Sequence, residues 1–176
     1  MAQVVLLRGV NVGGHKTFRP SLLAKELADY DIVNIGAAGT FVVRKRISEA
    51  KLRQEMLSRL PFSSEVIICN GADVTALAAD KPFAGEVSRP DIVHFVSVMA
   101  TAQRSSLEMP VSLPADDDWL LKILGFKGRF LFGIYKRQMR AIGYLAQIEK
   151  MFGVPVTTRN WNTITAIVKA LQQDHS

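Results

Sequence analysis

Runs of apolar residues with period two alternate along this chain with stretches of period three to four. Gln3–Leu7 is a short β-branched run and predicts a first strand. Pro20 stands at a first helical position before SLLAKELADY, the predicted first helix. DIVNI and TFVVR flank the turn GAAG as a hairpin. Ser48 is placed to cap a second helix, with Ile47 stapled onto Leu52 and an apolar face through Leu52, Met56 and Leu60 that ends at Pro61. EVIIC predicts the next strand, and Asn70 opens a short helix through Leu77. The order is βαββαβ and then a helix, a ferredoxin-like pattern.

The second half repeats it. DIVHFVSVM is a strand, TAQRSSLEM a short helix closed by Pro110, and PVSLPADDD a polar loop. WLLKIL and RFLFGIY form a hairpin around GFKG. AIGYLAQIEKMF is a helix stopped by Gly153 in a left-handed cap. PVTT is a short strand. In the last helix Ile164, Ile167, Val168 and Leu171 make one apolar stripe, with Thr158, Asn160 and Asn162 available as caps. The expectation is an α+β chain of two ferredoxin-like βαββαβ halves, residues 1–82 and 91–176, joined by a linker at 83–90 rich in Pro, Gly and charge. The repeat is one of topology, with no self-similarity of residues.

Composition changes this picture little. The one cysteine, Cys69, excludes an internal disulfide and any CxxC metal knuckle. No apolar stretch approaches the ~20 residues of a membrane span, and the opening MAQVVLLRGV has no basic region before its apolar run. A reducing cytoplasm is the expected compartment. Charge is more informative. The net +6 is concentrated at one end: residues 1–118 hold 13 basic and 14 acidic side chains, residues 119–176 hold 9 and 2. A basic third of this kind attracts phosphate-bearing partners, or serves solubility alone.

Three stretches carry candidate chemistry. LLRGVNVGGH, residues 6–15, leaves a strand end with Arg8, Asn11, Gly13 and Gly14. It misses the Walker loop, because His15 stands between Gly14 and the adjacent Lys16 and Thr17 and puts them out of register, and it lacks the dinucleotide GxGxxG fingerprint. It reads as a glycine turn or as an anion site built on Arg8. TTRNWNT, residues 157–163, brings Arg159, Asn160 and Asn162 around Trp161 at a helix start, where free N–H groups attract anions; in the plainer reading the polar residues cap and Trp161 plugs the core. GFKGRFLFGIYKRQMR mixes aromatics with Lys127, Arg129, Lys136, Arg137 and Arg140, partly like an RNA-recognition strand with Phe130 and Phe132 on one face.

Other constellations are thin. His15, His94 and His175 have no ligand spacing, Cys69 reads as a small buried side chain, and Asp116–Asp118 read as a solvated loop. Arg44–Arg46 make a solvated basic turn. No nucleophile elbow, cofactor motif or metal set is present, so no catalytic residue is named.

LLRGVNVGGH at the start and TRNWNT before the last helix, with PFSSEVIICNGADVTAL between them, resemble a bacterial family catalogued as domain of unknown function 1697. The resemblance extends over nearly the whole chain. It implies an α+β fold with ferredoxin-like halves, and no activity. One hairpin departs from the family. Where members commonly read TYIQSGNVVF, this chain reads NIGAAGTFVV, so Ala37, Ala38 and Thr40 replace three polar side chains. A polar site on that hairpin is expected to be altered here.

The leading expectation is therefore a pocket for an anionic small molecule, a phosphate or carboxylate, in which Arg8, Asn11, Gly13 and Gly14 meet Arg159, Asn160 and Asn162. The alternatives are a nucleic-acid-binding module on the basic C-terminal third, and a homo-oligomeric interaction protein with no small ligand.

Overall fold

The structure is a computed structural model that describes all residues except 12, 13, 15, 103–106, 116 and 174–176. Its described elements are nine strands, five α-helices and a short 3-10 helix at Ala28–Tyr30. They form two compact units: Met1–Ala79 together with the segment from Thr163 onward, and Asp80–Asn162. The last helix, expected with the C-terminal half, thus clusters with the first unit.

The first unit has four strands, β1 (Gln3–Leu7), β2 (Ile32–Ile35), β3 (Thr40–Val43) and β4 (Val66–Asn70), all antiparallel in the order β2-β3-β1-β4. Alternation places Val5, Leu7, Phe41, Val43, Val66 and Ile68 on one face. Helices α1 (Pro20–Glu26) and α2 (Glu49–Arg59) cover that face with Leu23, Leu52 and Met56. Ser48 caps α2 as its sequence requires, accepting from the Lys51 N–H at 3.2 Å. The opposite face, with Val4, Leu6, Val42, Ile67 and Cys69, is buried as well. Helix α3 (Gly71–Ala79) follows β4, and Gly71 approaches Leu171 so closely that a Cβ would lie 2.7 Å from that side chain.

The second unit has five antiparallel strands: β5 (Ile92–Met99), β6 (Val111–Leu113), β7 (Leu121–Lys127), β8 (Phe130–Lys136) and β9 (Val156–Asn160), in the order β6-β7-β8-β5-β9. Helix α4 (Met139–Phe152) covers one face, where Ile148 meets Phe95, Met99, Leu121, Ile123 and Leu131. Gly153 ends it at φ 67°, the left-handed cap its sequence predicts.

Three expectations are corrected. The stretch read as the polar loop PVSLPADDD contains the edge strand β6, which pairs with β7 from Val111↔Ile123 to Leu113↔Leu121. It is three residues long because Pro110 and Pro114 flank it without N–H donors, which an edge tolerates. The helix expected at TAQRSSLEM does not form in residues 101, 102 and 107–109, and its centre lies outside the described residues. Strand β9 runs on through Asn160, so helix α5 (Trp161–Gln172) starts at Trp161 and Thr158 is a strand residue, not a cap.

The two strand-to-helix junctions also reveal a likeness of residues that spacing alone hid. Counted from Asn70 and Asn160, which close β4 and β9, Val74 falls at Ile164, Thr75 at Thr165, Ala76 at Ala166 and Leu77 at Ile167. Val74, Leu77, Ile164 and Ile167 are buried, and both alanines are half-buried.

Candidate functional site

In the first unit the described residues of the loop after β1 are tied through the main chain, the Asn11 N–H donating to the Lys16 carbonyl at 3.1 Å. The backbone is left-handed at Gly9, Asn11, Gly14 and Lys16, with φ between 48° and 78°. Asn11 holds it: its Nδ2 donates to the Ala37 carbonyl at 2.9 Å, and its Oδ1 accepts from the Phe18 N–H at 2.9 Å. The first bond crosses to the hairpin in which Ala37 and Ala38 replace the usual polar residues. It uses a main-chain oxygen, so those replacements leave it in place. Arg8 is tied at its backbone, N–H to Glu65 O and carbonyl to Ser64 Oγ. Gly13 and His15 lie outside the described residues, and Gly14 is exposed. A depression nearby is lined by Leu57, Leu60, Pro61, Phe62, Ser63 and Ser64, with no charged group among them.

The C-terminal motif lies in the second unit. Arg159 is 8 % exposed and sits in β9 opposite Val96, where its Nη1 donates to Thr157 Oγ1 at 2.7 Å and to the Thr158 carbonyl at 2.9 Å. Burial pushes its pKa down to about 10. It acts as an internal brace of the strand. The native form loses this proton before the unfolded form does, so above pH 10 the unfolded chain binds more protons and stability rises with pH until the unfolded arginine titrates too. Relative to Arg159→Met, the wild type should gain about 1.4 kcal/mol per pH unit in that window. Denaturant unfolding of both proteins at pH 10 and 11 measures it; a constant gap would show the guanidinium to be as well solvated as in the unfolded chain.

Asn160 and Asn162, by contrast, line a cavity of about 310 Å³ at the ends of β5, β8 and β9. Ser88, His94, Tyr135, Arg137 and Trp161 also line it. Arg137 is fixed by its backbone N–H to Asp91 O at 2.8 Å and by Nε to Pro90 O at 3.1 Å. The His94 ring stacks on Phe83 at 4.6 Å, with its Nε2 3.3 Å from the Val87 carbonyl oxygen, and Phe83 meets Trp161 edge-on at 5.1 Å. Burial raises the Tyr135 phenol above its ordinary pKa, against the opposing pull of Arg137. The cavity offers one cation, two amides, a phenol and an imidazole. Sequence reasoning missed His94 and Tyr135 because nothing local marks them. Trp161, read there as a core plug, is only half-buried and forms part of the wall.

The basic residues expected to serve nucleic-acid binding divide. Lys127 is ion-paired with Asp80, and the Arg129 guanidinium donates to the Met99 and Ala100 carbonyls at 2.9 Å each. Phe130 is 3 % exposed, and the half-buried Phe132 packs against Phe83 at 6.1 Å. Lys136 and Arg140 line a second cavity of about 390 Å³ with Pro114, Asp118, Leu120 and Gln138. Beside it the Trp119 ring carries two ammonium groups, Lys122 at 4.4 Å and Lys136 at 4.8 Å. Asp116 is outside the described residues, and among those described no three His, Cys, Asp or Glu side chains could hold a metal ion. No described helix is long and apolar enough to cross a membrane.

A family model described as protein of unknown function (DUF1697) matches residues 1–119. Among solved structures, the chain is similar to the conserved bacterial protein SP0830 from Streptococcus pneumoniae, with 17 % identity and a TM-score of 0.62 over 97 % of this chain and 98 % of that one. That likeness is one of fold. No curated protein matches.

Proposed function

The chain belongs to the DUF1697 family of proteins of unknown function, and from that premise we propose that it binds an anionic small molecule, a phosphate or a carboxylate, in the cavity at the ends of β5, β8 and β9. One observation carries this reading. Arg137, Asn160 and Asn162, three side chains suited to anion oxygens, line the same cavity although they come from two distant segments. His94 and Tyr135 add further polar atoms to the wall. The expected contribution of Arg8, Asn11, Gly13 and Gly14 to the same ligand is not part of this proposal. Asn11 is committed to main-chain partners, and the cavity is complete within the second unit.

The proposal extends to fold and compartment. We read both units as ferredoxin-like on their strand orders, β2-β3-β1-β4 and, with edge strand β6 set aside, β7-β8-β5-β9. A buried lone Cys69 suits the cytoplasm.

A thermal-shift panel tests the ligand. Inorganic phosphate, sugar phosphates, mononucleotides and small carboxylates are compared at low and moderate salt. One class should stabilise the protein, by ~2.7 kcal/mol at a hundredfold excess over its Kd. Arg137→Gln should weaken that class at least tenfold, as a charge-assisted hydrogen bond contributes about 1.5–3 kcal/mol. Absence of any shift, together with a mass that grows with concentration, would instead support the homo-oligomeric reading.

A further inference from the structure

We propose that the ligand is a phosphate chain, held by both cavities of the second unit at once. This rests on the anion-binding reading of the first cavity and names the class of ligand it takes. The stretch YKRQMR, residues 135–140, closes β8 and opens α4, and its side chains divide between the two cavities. Tyr135 and Arg137 line the first, while Lys136, Gln138 and Arg140 line the second. Tyr135 and Lys136 are successive residues of β8 and face opposite ways, so a chain of phosphates crossing the strand end serves both sets where a single phosphate does not.

The second cavity is prepared for such a chain by Trp119. Lys122 and Lys136 both lie over its ring, which keeps their ammonium groups within about 9 Å of each other. Two like charges held together repel, and an anion relieves that repulsion. Arg140 joins Lys136 as a second cation of the lining, with Lys122 beside it over Trp119, and the first turn of α4 contains no acidic residue. Asp118 is the opposing carboxylate in the lining. Asp91 also feels Lys136, but its carboxyl is already hydrogen-bonded by Arg89 at 2.9 and 2.6 Å. Phosphodiester and phosphoanhydride chains share the required chemistry.

The protein contains two tryptophans, and each stands by one cavity: Trp161 in the wall of the first, Trp119 beside the second. Trp119→Phe and Trp161→Phe therefore report the cavities separately by fluorescence. The probes are inorganic phosphate, uridine monophosphate, hexauridylate and tripolyphosphate. Hexauridylate should change the emission of both tryptophans with one midpoint, at least tenfold below that of uridine monophosphate. In a Lys136→Ala/Arg140→Ala double variant that midpoint should rise at least tenfold. The slope of log affinity against log salt should fall by about 1.4, two contacts at ~0.7 each for a single strand. The mononucleotide response at Trp161 should be unchanged. Lys122→Gln, a milder change, should act in the same direction.

If tripolyphosphate equals hexauridylate, the phosphates alone suffice; if only hexauridylate responds at Trp119, the chain is a diester strand. Either supports the proposal. A mononucleotide response at Trp161 with no gain from chain length, or no effect of the double variant, would overturn it and leave the first cavity's reading intact. No response at Trp161 to any probe would overturn this proposal and restrict the first cavity to carboxylates, whose absence of effect in the thermal-shift panel would overturn that reading too.

Discussion

Asn11→Ala should lower the unfolding free energy by about 3 kcal/mol, a large loss for one residue in a loop. Two effects add. The backbone at Asn11 is left-handed, φ 53°, which costs an alanine roughly 1–2 kcal/mol and asparagine less. The two side-chain bonds, to the Ala37 carbonyl and from the Phe18 N–H, contribute about 0.5–1.5 kcal/mol each. For a chain of this size the fall in Tm is about 6–12 °C. Asn11→Gly separates the terms, because glycine accepts the backbone angle and loses only the bonds. Its loss should be about half as large. Equal losses for the two variants would show that the backbone angle costs nothing, and an unchanged Tm in Asn11→Ala would dismiss the clamp. The outcome bears on the opening motif directly. It separates a residue that orders the loop from one that touches a ligand.

Gly133→Ala should destabilise the second unit by about 3 kcal/mol, at the upper end for a small-to-large change. Gly133 lies in β8 between Phe95 of β5 and Ile123 of β7. A Cβ there would press well inside van der Waals contact of the Lys122 carbonyl oxygen and stand 2.8 Å from the Phe95 ring. The oxygen belongs to a paired strand and cannot move without disturbing the ladder. Chemical unfolding monitored by far-UV circular dichroism measures the loss. Phe95→Leu, which makes room on the ring side alone, should not rescue it. A full rescue would show that the ring, and not the backbone, sets the limit.

Much of the local structure was legible. Ser48 and Gly153 act where their chemistry predicts, since a cap depends only on residues three or four positions away. Apart from β6, the strands of both units coincide with apolar runs in the sequence, and they form two antiparallel sheets. Edge strand β6 was hidden because its three residues are strand only by pairing with β7, ten residues downstream. Arg159 looked like a ligand residue because an arginine beside asparagines at a helix start invites that reading. Continuation of the strand through Asn160 turns it inward against Thr157 and Thr158.

The candidate cavities show the same division. Asn160, Asn162, Arg137, Lys136 and Arg140 could be named in advance by charge and polarity, but nothing local assigned Arg137 to one cavity and Lys136 to the other. His94, Tyr135 and Trp119 carried no signal at all, because a histidine in an apolar strand and an aromatic at a strand edge read as core. The sequence by itself determined the elements, their caps and the excess of positive charge, all of which arise from sterics, hydrogen bonds and composition within a few residues. Only the tertiary structure decided which unit takes the last helix, which arginine is buried and which line a cavity. Those outcomes depend on strands pairing across tens of residues, and a side chain's face is set by the register of a partner it does not adjoin in the chain.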